Sequence, residues 1–579
     1  MSSYDLTPTT PIAGYDSTAV TQGWEDILAD VRSLAKGSVL SVEAYPGVDD
    51  NEILAKLSEL EPSLIVDTRS LLKDEGPLNE QLKPFLTDDR VFGRMCFFDL
   101  IDFMDVDKVA QAQDRVNAAV ASGSGPVIVY GLGATLVHPG DHVVFFDMTR
   151  WEITKRYRAG MPNYCADNGD EDSLRKIKRG FFVEWRVADK HKLTFFRRAD
   201  RIVDSVDTAH PRMVSGAAVQ DALTQIAARP FRLVPYFDPG VWGGQWMKKI
   251  CGLNPEEKNY AWSFDGVPEE NSLLLGFGDR KIELPAMDLV LFEPRRLLGQ
   301  EVFARFGAEF PIRFDFLDTM GGQNLSLQVH PLTEYIHRQF GMTYTQDESY
   351  YILDAEEDAH VFLGLKEGVD PKEMMDALHE ANAGGASFDA EKYVNKFPAR
   401  KHDHFLIPAG TCHCSGSNAM VLEVSATPYI FTFKLWDWGR LGLDGRPRPV
   451  HLDHGEQVIQ WNRTTSWVKE NLVNDIRLVR EDEHVREEHT GLHELEFIET
   501  RRYWIEDNVE IEPDDAVSML NLIEGEQAIV ESLDGSFEPY EVHYAETFIV
   551  PAAAGAFRLV NPTGARIGVL RAFVRPPRA

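Results

Sequence analysis

Cysteine is scarce in this 579-residue chain. Cys96, Cys165, Cys251, Cys412 and Cys414 are few, odd in number and mostly scattered. That pattern excludes a disulfide-stapled scaffold and reads as a reduced, cytoplasmic protein. Positive charge is also short, with 59 Lys and Arg against 92 Asp and Glu, a formal net charge of -33. Such a surface repels phosphodiester backbones and argues against nucleic-acid partners. It leaves room for a local basic pocket that binds a small phosphorylated ligand. No apolar run reaches the ~18 residues that a membrane-spanning helix needs. The first twenty residues, MSSYDLTPTTPIAGYDSTAV, lack a basic start followed by an apolar run, which argues against a secretory signal. Low-complexity tracts and fixed-period repeats are absent too.

What is present is globular material, 44% apolar and 11% aromatic. The length suggests three or four domains at about 150 residues each. Residues 1–20 read as a flexible polar leader. From there, SLIVD (63–67), PVIVYG (126–131) and HVVFFD (142–147) are short β-branched or aromatic runs expected to be buried strands. The segment 107–123 lies between two of them with apolar residues at helical spacing. This alternation predicts an α/β domain with a partly parallel sheet over 21–225. A helix near 210–229 leads into a Pro- and Gly-rich start at 230. From about 400 onward strands dominate, including HFLIPAG, MVLEVS and YIFTFKLWDW, and the last hundred residues predict a β-sandwich or barrel.

Chemistry concentrates in three strand-like segments. In NLSLQVHP (324–331), Gln328 and His330 are two apart and share a face. Glu348 opens ESYYILDAE. His413 lies in IPAGTCHCSG, where alternation turns Cys412 and Cys414 away from it, so the thiols read as core residues. Two imidazoles and a carboxylate suit a borderline divalent ion such as zinc, with Gln328 as the candidate fourth ligand. The competing view is that any three of 17 histidines and many carboxylates can be selected after the fact.

These same segments resemble class I phosphomannose isomerases. LSLQVHP is similar to the family's LSVQVHP, and ESYYILDAEEDAHVFLGLKEG to its E-x-W-Y-I-L-D-A…G-L-K strand pair. IPAGTCHCSG…MVLEVS resembles I-P-A-G-T-x-H…L-V-L-E-I, and LWDWGRLGLDGRPRPVHLD resembles Y-D-W-x-R…D-G-x-P-R-x-L-H-I. The resemblance covers about 230–579. It implies cupin (jelly-roll) barrels with a helical insertion: a catalytic cupin domain over 230–475 and a C-terminal barrel over 476–579. It implies one zinc on His330, Glu348 and His413, with Gln328 as a fourth ligand. It implies interconversion of mannose 6-phosphate and fructose 6-phosphate through an enediol. Glu423 matches a carboxylate suggested as the base. Lys434 aligns with a catalytic arginine of bacterial relatives, and Arg440 belongs to the D-W-x-R motif. The alternative for Glu423 is a buried strand residue, and for Lys434 a snorkelling surface lysine.

Three departures bear on substrate. Gln346 and Asp347 stand where relatives place Lys-Thr before the ligand glutamate, Ser425 and Ala426 replace glutamines, and Lys434 replaces the arginine. They favour a different sugar phosphate, or a catalytically weak sugar-phosphate-binding regulatory relative. A cupin oxygenase using iron on the same residues is a third reading. The region 21–225 lies outside the common isomerase and is loosely similar to a degenerate nucleoside-kinase domain. Its turn YGLGATLVHPGD (130–141) offers Gly131 and Gly133 for close backbone approach, but there is no G-x-x-x-x-G-K-[ST] and no third glycine of a dinucleotide fingerprint. The basic runs RRADR (197–201) and KRYR (155–158) read as solvated helix faces.

Overall fold

The computed structural model describes residues 3–35, 38–123, 125–164, 166–426, 429–491 and 493–576, so Cys165 lies outside the described residues. Contacts divide the chain into two units. One comprises Thr9–Gln225 and Ser272–Phe292; the other comprises Met1–Pro8, Ile226–Asn271 and Glu293–Ala579. No helix among the described residues is long and apolar enough to cross a membrane.

The first unit is built on a seven-stranded sheet. Its order is Thr21–Gln22, Arg212–Ser215, Arg201–Asp204, His142–Asp147, Val39–Ala44, Val127–Tyr130, Leu64–Asp67. The last five are mutually parallel, and the two at the other edge pair antiparallel. Val39–Ala44 is buried at all six positions, as expected of a parallel strand covered on both faces. The helix expected over 107–123 runs Val106–Ser122. Asp105 caps it by accepting from the N–H groups of Asp107 and Lys108, and Gly123 ends it in the left-handed region at φ 62°.

Two expectations are corrected here. The leader is not free: Thr9–Pro11 forms a strand parallel to Ser272–Phe277. The hairpin Ser272–Phe277/Arg280–Pro285 and the helix Ala286–Phe292, expected inside the catalytic domain, belong to the α/β unit. A side-chain network explains the attachment of that helix. Lys192 lies 2.9 and 3.0 Å from the Asp147 oxygens and 2.6 Å from Asp288 Oδ1. All three are buried. The ammonium also lies 5.0 Å from the ring centres of Tyr45 and Phe145. Burial alone would weaken its hold on the proton, but the two carboxylates outweigh burial and raise its pKa.

The second unit consists of antiparallel sheets in two pairs. A six-stranded sheet runs His404–Ile407, Asp347–Ala355, Ala419–Ala426, Arg313–Asp318, Trp262–Gly266, Tyr236–Asp238. A five-stranded sheet runs Val394–Pro398, His360–Leu365, His413–Ser415, Leu327–Val329, Phe433–Trp436. Further along the chain, a six-stranded and a four-stranded sheet share one apolar core. Tyr503, Leu520, Phe548 and Val569 from the first meet Val530, Val542, Phe557 and Leu559 from the second. Inward residues alternate along these strands, the mark of a sandwich, and the opposite face of the six-stranded sheet is buried as well, at Met519, Ile549 and Leu570. Helices Thr333–Phe340 and Pro371–Asn382 interrupt the strands of the first pair.

Candidate metal centre

Strand register brings the predicted ligands together. Gln328 pairs directly with His413 on one side and with Lys434 on the other, so these three form one cross-strand row of the five-stranded sheet. His330 stands just past the end of Leu327–Val329, on the same face as Gln328. Glu348 comes from the six-stranded sheet, where it pairs with Ile407 and Ser425. Across the space between the sheets, its Oε2 lies 3.0 Å from His330 Nε2 and its Oε1 2.8 Å from His413 Nε2. Gln328 Nε2 is 3.3 Å from His413 Nε2. His330, Glu348 and His413 are each fully buried, and their ligand atoms all lie within 4.8 Å of one another.

Both imidazoles are held by backbone. His330 Nδ1 is 3.0 Å from the Phe431 carbonyl oxygen, and His413 Nδ1 is 2.8 Å from that of Thr411. Each carbonyl can only accept, so each Nδ1 carries the hydrogen and each Nε2 keeps its lone pair for the centre. The turn before His413 is fixed in turn. Arg463 donates to the carbonyls of Pro408 and Ala409 and to Thr411 Oγ1. Gly410, at φ 89°, donates its N–H to the His330 carbonyl at 2.9 Å. A Cβ there would meet Gln460 Cγ at 2.6 Å, so glycine is required.

Burial would lift the Glu348 carboxyl, but the two imidazoles outweigh it and hold its pKa well below the ordinary value. Burial would depress His330, and the Glu348 charge more than offsets it, so that imidazole lies above its ordinary value. His413 is depressed by burial despite the same carboxylate. His330 Nε2 and Glu348 Oε1 have no partner of hydrogen-bonding geometry among the described residues. Two buried lone-pair nitrogens and an open carboxylate oxygen fit a divalent cation. The thiols of Cys412 and Cys414 are buried and unbridged, and burial pushes the Cys412 thiol up to about 12; neither thiol joins the cluster.

The other predicted residues separate. Glu423 lies on the same face as Glu348, on the adjacent strand, directly opposite Tyr350 on one side and Asp315 on the other. Burial, then the charges of Asp315 and Glu348, hold its carboxyl well above the ordinary value. Lys434 is half-buried at the edge strand, in the Gln328 row. Arg440 does not turn toward the cluster. Its guanidinium donates to the Asn324 carbonyl at 2.7 Å, to the Asp437 carbonyl at 3.2 Å and to Asp437 Oδ1 at 2.6 Å. Arg448 also binds Asp437, at 3.0 Å.

Sequence reasoning missed Arg313, Asp315 and Tyr350, which share the Glu348 face. Burial lifts the Asp315 carboxyl to about 7. The signal was present in PIRFDFLD, where Arg313 and Asp315 alternate with phenylalanines, but a polar strand face ordinarily reads as solvent-facing.

The chain thus carries, between two antiparallel sheets, a buried His–Glu–His group able to hold a metal ion. A family model described as a domain of unknown function (DUF8485) matches residues 23–228. The chain is 26% identical over 247 residues to a mannose-6-phosphate isomerase of Streptococcus mutans, covering 42% of this chain and 72% of that protein. It is 24% identical over 241 residues to the mannose-6-phosphate isomerase ManA of Bacillus subtilis, covering 41% and 69%. Among solved structures, the mannose 6-phosphate isomerase from Bacillus subtilis aligns over 59% of this chain and 99% of its own, with 19% identity and a TM-score of 0.48.

Proposed function

We propose that this protein is a metal-dependent aldose–ketose isomerase that interconverts mannose 6-phosphate and fructose 6-phosphate through an enediol. Residues 230–271 and 293–475 would form the catalytic cupin domain and 476–579 the second barrel. The observation that carries the reading is the buried Glu348 carboxylate facing two Nε2 atoms, both tautomers fixed by backbone. The names of the curated relatives supply the reaction class. The donor set suits zinc, with Gln328 beside His413 as the fourth ligand. A bound divalent ion supplies Lewis-acid polarisation of the sugar carbonyl and its neighbouring hydroxyl.

The protein's own groups do the rest. Glu423, buried beside Asp315, holds a proton tightly for a carboxyl, which suits it to exchange one with the sugar's adjacent carbons. Lys434, in the Gln328 row, faces the developing oxyanion or the phosphate with a fixed positive charge. Arg440 supports the Asn324–Asp437 loops and acts on the site through them. Sparing cysteine usage supports a cytoplasmic setting.

One observation favours a second reading, a different sugar phosphate or a binding protein without turnover. The Glu348 face also carries Asp315 and Glu423, and an amide occupies position 346. The test is turnover of mannose 6-phosphate by the zinc-loaded protein beside His413→Ala. Conversion that vanishes in the variant supports the isomerase. A zinc-holding wild type without conversion refutes this substrate and moves the reading to the second.

A further inference from the structure

Gln346 stands where the resemblance predicted a lysine, and it is 4% exposed, next to the Glu348 ligand strand. Its amide is used at both ends. Nε2 donates to Glu348 Oε2 at 3.0 Å. Oε1 accepts the Phe431 N–H at 2.8 Å. The carbonyl oxygen of the same residue, Phe431, holds His330 Nδ1 at 3.0 Å. Hydrogen bonds therefore link Glu348 to Gln346, Gln346 to the Phe431 N–H and the Phe431 carbonyl to His330, with the backbone of Phe431 as the covalent joint between them. Glu348 belongs to the six-stranded sheet, while His330 ends a strand of the five-stranded sheet, so these links tie together two ligands that no backbone ladder joins.

We propose that Gln346 is a positioning residue for the metal centre, setting the Glu348 carboxylate and the His330 ring against one another through Phe431. The inference rests on the metal reading of the site and is independent of the substrate. The inventory of side-chain groups explains why an amide is needed. Glutamine offers a donor and an acceptor at the same reach. Lysine offers donors only, and methionine, of similar length, offers no comparable donor or acceptor. Both Glu348 oxygens face the imidazoles, and the amide bond to Oε2 fixes the rotation of the carboxylate between them, leaving Oε1 without a hydrogen-bond partner. Gln346 is thus a structural replacement for the expected cation, and no substrate charge is met at this position.

The test measures zinc affinity of the full chain by chelator competition, and the visible spectrum of the cobalt-substituted protein, for wild type, Gln346→Met and Gln346→Lys. Outer groups that orient metal ligands change affinity by about 10–100-fold when removed. Gln346→Met is expected to weaken zinc in that range and to alter the cobalt bands, which report ligand geometry rather than global packing. Gln346→Lys keeps a donor for Glu348 and loses the acceptor for Phe431, so it is expected to fall between the two. A folded Met variant with wild-type affinity and spectrum overturns the proposal and leaves the isomerase reading standing. If the Met variant does not fold, wild-type affinity in the Lys variant overturns the clamp through Phe431. A wild type that takes up no zinc overturns the metal reading and this inference together, whatever its turnover.

Discussion

Replacing Lys192 with methionine removes one cation from between two carboxylates that water does not reach. In the native protein the ammonium bonds both oxygens of Asp147 and one of Asp288, and all three groups are buried. Methionine fills similar volume against Tyr45 and Phe145, so the loss is electrostatic rather than a cavity. Breaking a buried ion pair by deleting one partner costs about 3–5 kcal/mol, because the remaining charge is neither solvated nor paired. Two carboxylates remain here, so one must take up a proton and the other keeps a buried charge with no counter-ion from Lys192; the upper half of that range is expected. Burial and Asp147 already hold the Asp288 carboxyl well above its ordinary value. The triple variant Lys192→Met, Asp147→Asn, Asp288→Asn removes every charge and should recover most of the loss, since uncharged replacements of buried ion triads are often neutral or better. Native-state hydrogen exchange on the full chain, read at His142–Asp147 and Ala286–Phe292, reports the stability of this unit without assuming two-state unfolding of the whole. A loss below about 1 kcal/mol in the single variant, typical of exposed pairs, or no recovery in the triple, would refute the reasoning.

Asp204 is buried, and burial lifts its carboxyl to about 7. A raised folded-state pKa stabilises at low pH and the benefit is lost as pH rises through it. Relative to Asp204→Asn, wild type should therefore lose about 2–3 kcal/mol between pH 5 and 8, two pH units at about 1.4 kcal/mol each, measured by hydrogen exchange at His142–Asp147 and Arg201–Asp204. Lys434→Met should leave zinc content unchanged and lower kcat/KM for mannose 6-phosphate; unchanged kinetics would remove Lys434 from the site. Arg440→Met should instead lower thermal stability, because three guanidinium bonds to the Asn324 and Asp437 segments are lost. An intact melting temperature with lost turnover would return Arg440 to the substrate.

Local pattern was legible where local physics decides. HVVFFD emerges as His142–Asp147, and the helix over 107–123 emerges one residue early, because β-branched runs and apolar spacing act within a few residues. The parity that places Gln328 and His330 on one face was legible for the same reason. That Glu348 meets them was legible only through the resemblance, since the contact joins two sheets. Asp315 escaped because polar alternation in a strand does not say whether its polar face meets water or an interior chamber. Gln346 escaped because the reading asked what charge had been lost there, while the structure answers with two hydrogen bonds. The placement of Ser272–Phe292 could not be read, because a hairpin's sequence specifies its own turn but not which distant strand it will join; here that strand is Thr9–Pro11.

The way the chain is shared between its two units bears on how such a protein can be cut or recombined. Tyr4, which precedes every strand of the earlier unit in the sequence, bonds Asp265 within the later one. The hairpin and helix of Ser272–Phe292 return to the earlier unit after the later one has begun. A break near 225 would leave each fragment without a segment that its unit contains. The N-terminal piece would lack Asp288, the counter-ion of its buried lysine, and the C-terminal piece would lack Tyr4. During synthesis, the α/β unit cannot complete its charge pairing until the ribosome has passed residue 288, so its final folding step waits on segments that arrive with its neighbour. Exchange of either unit for a foreign module would have to transplant three or two separate stretches of sequence at once.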